Sequence, residues 1–261
     1  MQNVVLAPLG SDALNAGVDL LNDLKGKPMP EHTRDELVMS YLRVRQALGW
    51  LGVGLPLVLI LGGLLAGTGI LPSVSDYYHS VMRDIFVGCL FAIGVFLISY
   101  NGHPLKEGER FSDDIVATIA GIAAFGVALF PNEAGGRINP ETLSQELIGF
   151  SAAAMGHYLS AVIFLGSLAY FCLVKFARTA KPFRRRIYRA CGGFIVLGGV
   201  VATIASLIKL NGPEPLAAWV VELRLIFWIE ALGILAFGIS WLVKGQAQFD
   251  MVKSVLIRRK L

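Results

Sequence analysis

The sequence predicts an all-α, polytopic membrane protein with six transmembrane helices and both termini in the cytoplasm. Three observations carry that prediction. Hydrophobic residues make up 55% of the 261 positions and charged residues only 16%, against roughly 25% charged in an ordinary globular protein. Apolar runs close to the ~20 residues that a helix needs to cross a ~30 Å hydrocarbon core recur six times, at about 48–70, 80–101, 113–131, 150–174, 188–209 and 222–243. Lys and Arg are concentrated in every second connection, the asymmetry that orients such helices. Mean hydropathy is +0.63. These values exclude a disordered chain, a disulfide-stapled secreted domain and a soluble nucleic-acid binder. The pI near 9.0 comes from basic residues lying between apolar segments, where they act as topology signals.

The spans read as helices because a bilayer core offers the backbone no hydrogen-bond partners, and barrel strands would alternate over ~10 residues. Residues 1–46 form an N-terminal segment whose polar opening does not read as a cleavable signal peptide. Leu14, Val18, Leu21 and Leu24 recur at helical spacing opposite Asp12, Asp19 and Asp23, which predicts a short amphipathic helix. Pro28 and Pro30 break it. Thr33 followed by Glu36 fits a capping box, so a second helix starts there and runs into span one. The bundle occupies 47–245 and a basic tail 246–261.

Between spans four and five stand Lys175, Arg178, Lys181, Arg184, Arg185, Arg186 and Arg189, and the tail adds Lys244, Lys253, Arg258, Arg259 and Lys260. The opposite side has only Arg83, Arg137, Lys209 and Arg224. The positive-inside rule therefore places both termini in the cytoplasm. Trp50, Trp219 and Trp241 fall near predicted interfaces. Cys89, Cys172 and Cys191 lie within spans, without CxxC spacing, and read as small packing residues. Gly63 and Gly67 in span one, and Gly121 and Gly126 in span three, permit close helix approach within the subunit or in a homo-oligomer.

The chemistry concentrates in Ser73-Val-Ser75-Asp76-Tyr77-Tyr78-His79-Ser80-Val-Met-Arg83-Asp84. The apolar part of span two beyond it, Ile85 to Ile98, covers only about 21 Å at 1.5 Å per residue. The helix is therefore expected to begin earlier, with Ser75 as its N-cap, drawing Arg83 and Asp84 below the outer interface. Charges at that depth need partners. Continuous helical spacing puts Asp76, His79 and Arg83 on one face and Tyr77, Ser80 and Asp84 on the next. His157 in span four, with Ser160 one turn deeper, and Glu230 in span six, about 12 Å below Glu222, lie at similar depth. An intramembrane carboxylate is a functional-site hypothesis by default.

These residues define a candidate outward-facing pocket on spans two, four and six. For lipid hydrolysis, His79, His157 and Asp76 would hold a Zn²⁺ with an open water position, and the metal would lower that water's pKa. Asp84, Glu230 and Arg83 would serve catalysis, with Arg83 on a lipid phosphate or oxyanion. Tyr77, Tyr78, Ser75 and Ser160 would contact substrate, the tyrosines at the pocket mouth. Arg83 with Asp84 or Glu230 reads equally as a structural ion pair, each histidine as an interhelical hydrogen-bonder, and the tyrosines as part of an aromatic belt. A second function class is a proton-coupled transporter or oligomeric channel for a small anion, with Arg83 binding it and Glu230 and His157 carrying protons. A third is a structural or accessory membrane subunit. The partners expected are membrane lipid and a second copy of the chain, with no nucleic acid.

Ser75-x-x-x-His79 resembles, locally, the superfamily of ceramidase-type and progestin-receptor-type membrane hydrolases, whose sites combine Ser, Asp and three His. Six spans and two intramembrane His depart from that pattern, so no catalytic assignment is carried over. The segment Ser75-Asp-Tyr-Tyr-His-Ser-Val-Met-Arg-Asp-Ile-Phe-Val-Gly88, with Gly126-Val-Ala-Leu-Phe-Pro131 and Phe237-Gly-Ile-Ser-Trp-Leu-Val-Lys-Gly245, resembles uncharacterised bacterial six-span integral membrane proteins. That resemblance implies a six-helix fold in a bacterial inner membrane and brings no activity.

Overall fold

A computed structural model describes residues 31–100, 102, 105, 110–133 and 142–259, with the backbone alone for 31–41 and 248–259. The amphipathic helix expected within residues 14–24 lies outside them. The chain divides between Tyr41 and Leu42. Of the first unit, residues 31–41 are described, as helix. The second unit, from Leu42 onward, holds the apolar helices and the polar cluster.

Among the described residues there is no strand. The helices are α1 Glu31–Leu65, a 3-10 helix Ser75–His79, α2 Arg83–Ile98, α3 Asp113–Leu129, α4 Leu143–Ile148, α5 Phe150–Tyr170, a π-helical stretch Phe171–Phe176, α6 Ala177–Thr179, α7 Pro182–Asn211, α8 Glu214–Glu222 and α9 Leu225–Arg259. A helix thus stands at each of the six apolar runs. Among the described residues, four segments are long and apolar enough to cross a membrane: Leu42–Leu65, Phe150–Thr179, Pro182–Asn211 and Leu225–Ala247. The other two, α2 and α3, have 16 and 17 residues, or about 24 and 26 Å of helix. Helix α1 is already under way at Glu31, so Thr33 is an interior residue and not the cap that its spacing with Glu36 predicts.

Neighbouring helices pack in the order α2–α3–α5–α7–α9. Small residues set two of the crossings. A Cβ on Gly121 would stand 2.7 Å from the Gly94 carbonyl, which brings α2 and α3 backbone to backbone. Gly238 of α9 meets Gly49 and Val53 of α1 in the same way. Helix contact through glycine is the membrane solution, since lipid tails are as apolar as Leu and close packing replaces the hydrophobic drive. Gly63 and Gly67 do something else. Gly67 adopts φ +75°, and the amides of Thr68 and Gly69 both donate to the Gly63 carbonyl, so the pair terminates α1.

The buried core is apolar and rich in aromatics. Trp241, predicted near an interface, is fully buried and packs edge-on against Tyr100, Phe171, Phe176 and Phe237. Trp50 and Trp219 are exposed. The outward faces are equally apolar: Leu197, Val200, Ile204 and Leu207 form an exposed row along α7. A contiguous apolar face of that kind is foreign to a water-soluble monomer. The three cysteines are free, with Cys172 and Cys191 buried.

Candidate functional site

The continuous helix expected from Ser75 through span two is not formed. Ser73 and Asp76 cap each other: the Ser73 amide donates to Asp76 Oδ2 (3.1 Å) and the Asp76 amide to Ser73 Oγ (3.0 Å). This is a capping box one turn wide, and it makes Ser73 the capping residue that Ser75 was expected to be. The chain then winds as a 3-10 helix for five residues and stops at Ser80 in extended geometry, φ −123° and ψ 175°. Ser80 Oγ donates to the Tyr77 carbonyl (2.8 Å) and accepts from the Met82 amide (3.1 Å). Such local side-chain bonds compete with the helical ladder and win here. Helix α2 starts afresh at Arg83, so the two polar stripes predicted on one helix do not exist.

The capped segment is seated among four helices. Its Pro72 carbonyl accepts from the Phe227 amide of α9 (2.9 Å), and the Val74 amide donates to Glu230 Oε2 (2.7 Å). Asp76 Oδ1 accepts from Asn132 Nδ2 just beyond α3 (2.7 Å), and Lys209 of α7 stands 3.6 Å from Asp76 Oδ2. Lys209 also donates to Glu133 Oε1 (2.9 Å), whose other oxygen accepts from Tyr158 OH on α5. Lys209 lies in the last turn of α7, where a cation also meets the negative end of the helix dipole.

His157 is buried, at 1% exposure. Its Nδ1 lies 2.7 Å from the Phe130 carbonyl and its Nε2 2.9 Å from Ser75 Oγ. A carbonyl only accepts, so Nδ1 carries a proton; neutral Nε2 then offers a lone pair, and the Ser75 hydroxyl donates to it. The sequence Phe130-Pro131 supplies that carbonyl. A residue before proline is steered away from helical geometry, and Phe130 leaves α3 at φ −100° and ψ 116° with its carbonyl outside the ladder.

Two cavities border this cluster. A small one of about 70 Å³ is lined by Val74, Ser75, Phe86, Phe164 and Glu230 among others. A groove of about 720 Å³ runs between α5 and α7, from Tyr158 to Ala169 on one wall and Ile195 to Leu210 on the other, with Glu230 on its floor. Ala161, Leu165 and Glu230 line both.

The structure brings Ser75, Asp76, His157 and Glu230 together and gives the other candidate residues different surroundings. Tyr77 and Tyr78 do not line a mouth; they are 0% and 3% exposed and belong to the core. Arg83 makes no ion pair with Asp84 or Glu230 among the described residues; its guanidinium lies 4.7 Å over the Tyr78 ring. Asp84 is exposed, away from the cluster. Ser160 packs on Gly126 at the α3–α5 crossing. His79 ends the 3-10 helix with its ring against Tyr78 (5.5 Å). Of the residues proposed for Zn²⁺, His157 Nε2 faces the Ser75 hydroxyl and Asp76 faces Ser73, Asn132 and Lys209, and among the described residues no three His, Cys, Asp or Glu converge on a metal position.

Sequence reasoning missed Asn132, Glu133, Tyr158 and Lys209. The available signals were slight: Asn132-Glu133 follows Pro131 where an apolar run stops, and Lys209 interrupts Leu207-Ile-Lys209-Leu. No protein-family model, curated protein or solved structure matches the chain.

Proposed function

We propose that this is a six-span inner-membrane protein of bacteria, both termini cytoplasmic, that binds a membrane lipid in the outer leaflet. Its acyl chain would lie in the α5–α7 groove. The carrying observation is the groove itself, about 720 Å³, apolar along its walls and ending beside the Tyr158–Glu133–Lys209–Asp76 cluster. From Ile195 to Leu210 the α7 wall extends about 22 Å, more than one leaflet of a ~30 Å core. Two carboxylates, Asp76 and Glu133, share one lysine at its polar end, and Glu230 adds a third acid on the floor. That balance favours a headgroup rich in hydroxyl or amine donors over an anionic one, and with Arg83 stacked on Tyr78 it weakens the case for an anion transporter.

For the short helix α2, the seated segment 73–82 that leads into it supplies the missing outer depth. Orientation comes from Lys175 to Arg189 at one end of the bundle and the cluster at the other. In a cysteine-free background, Glu214→Cys should react with an impermeant maleimide added to intact spheroplasts, and Lys181→Cys should not. Native mass spectrometry of the purified protein should show about one retained lipid per chain. Gly166 and Gly199 line the groove and have open space where a Cβ would stand. Gly166→Leu with Gly199→Leu should therefore displace the lipid without disturbing the bundle. Wild type that retains none, or a filled groove that retains as much, sinks the lipid reading.

A further inference from the structure

We infer that Ser75 is a nucleophile activated by His157, and that the site cleaves a carboxylic ester of a long-chain lipid. Three features of the geometry carry this. The Ser75 hydroxyl donates to a neutral imidazole nitrogen at 2.9 Å, within the reach a general base needs. The far nitrogen is locked on the Phe130 carbonyl at 2.7 Å, which fixes the tautomer that leaves Nε2 able to accept a proton. A nucleophile, its base and a third group orienting the base form the recurrent arrangement of covalent catalysis, with a main-chain carbonyl here in the orienting place. Finally, Ser75 lines the small cavity, which shares Ala161, Leu165 and Glu230 with the groove. The cavity that Ser75 lines therefore adjoins the groove at those three side chains. This inference rests on the lipid reading of the groove and adds the reaction to it.

The chemistry balances with water as the one co-reactant. Ser75 Oγ attacks the ester carbonyl carbon as its proton passes to His157 Nε2. The carbon–oxygen bond to the leaving alcohol breaks, the alkoxide takes that proton, and an acyl ester on Ser75 remains. A water molecule then loses a proton to His157 Nε2 and attacks the acyl carbon, and the proton returns to Ser75 Oγ as the free acid departs. The 70 Å³ cavity beside Ser75 has room for water. The deep burial of His157 keeps bulk solvent from the base. Asp76 is a positioning residue, since its reciprocal cap with Ser73 holds the 3-10 turn that presents Ser75.

The test is a fluorophosphonate bearing a long alkyl chain, incubated with the protein in nanodiscs and read by intact mass and peptide mapping. Wild type, Ser75→Ala, His157→Gln and Ser160→Ala are compared, with lipid retention measured on the same samples. The expected result is one adduct per chain on Ser75 in wild type and Ser160→Ala, and none in Ser75→Ala. Labelling should be at least about a hundredfold slower in His157→Gln, the usual contribution of a general base. Ser75→Ala should still retain lipid, which shows that the variant is folded. Retained lipid with no adduct on Ser75 overturns the nucleophile and leaves the lipid site standing. Equal labelling in His157→Gln overturns the role of the base. Loss of both adduct and lipid in wild type defeats the two readings together.

Discussion

Replacing Gly238 by Ala adds one methyl group at the crossing of α9 and α1, and the structure says how badly it fits. The new Cβ would stand 2.6 Å from the Val53 amide nitrogen and 2.8 Å from the Gly49 carbonyl oxygen. Both are main-chain atoms, so no rotamer relieves the contact. Ordinary contact begins at 3.4 Å, and the helices must part by 3.4 − 2.6 = 0.8 Å. Overpacking of this kind costs about 1–3 kcal/mol, offset in part by the ~1 kcal/mol by which Ala exceeds Gly in helix propensity. Gly233, five residues earlier on α9, has nothing within 4 Å of its Cβ position, so Gly233→Ala gains up to ~1 kcal/mol with no clash. The two variants should differ by about 1–3 kcal/mol, with Gly238→Ala the weaker. Reversible unfolding in mixed dodecylmaltoside–SDS micelles, followed by tryptophan fluorescence, measures the difference. Equal stability, or a more stable Gly238→Ala, would refute the close approach. The effect should also reach the site, since Glu230 stands eight residues, about 12 Å, along the same helix.

Two further outcomes are expected of the cluster. Lys209→Met leaves Asp76 and Glu133 facing each other without their shared cation and should destabilise the fold by about 2–4 kcal/mol. Adding Asp76→Asn and Glu133→Gln should recover most of that loss; a triple variant no better than Lys209→Met would show that the lysine acts by packing alone. Glu230→Gln retains an acceptor for the Val74 amide and should be near wild type in stability, whereas Glu230→Leu strands that donor at a cost of about 1–3 kcal/mol. Thermal unfolding in detergent distinguishes the pair, and indistinguishable midpoints would remove Glu230 from its place beneath the 3-10 turn.

The helices were legible because apolar length is a local property, and each of the six runs carries one. The site was half legible. His157 and Glu230 announced themselves as polar groups in apolar surroundings, and Ser75 and Asp76 by their place in a dense polar segment. Periodicity then misled at Ser80, whose hydroxyl bonds to Tyr77 and Met82 and ends the helix that spacing alone would continue. The partners of Asp76 were out of reach for a different reason. Lys209 and Asn132 both lie far along the chain, Asn132 at 56 residues' distance and Lys209 beyond it, and nothing in either neighbourhood encodes which carboxylate it will meet. The stacking of Arg83 on Tyr78 was not legible because a charge in an apolar setting suggests an ion pair, whereas a guanidinium also finds a partner in an aromatic face.

The seating of residues 72–76 also bears on biosynthesis. The turn is held in part by Phe227 and Glu230 of α9, so a segment ahead of span two is anchored by the helix of span six. Val74 and its acceptor are 156 positions apart. Until α9 inserts, the Ser73–Asp76 turn lacks its contacts to Phe227 and Glu230, and a chain stalled before Leu225 carries the segment without that anchor. Seating of the turn thus waits on insertion of the sixth apolar run.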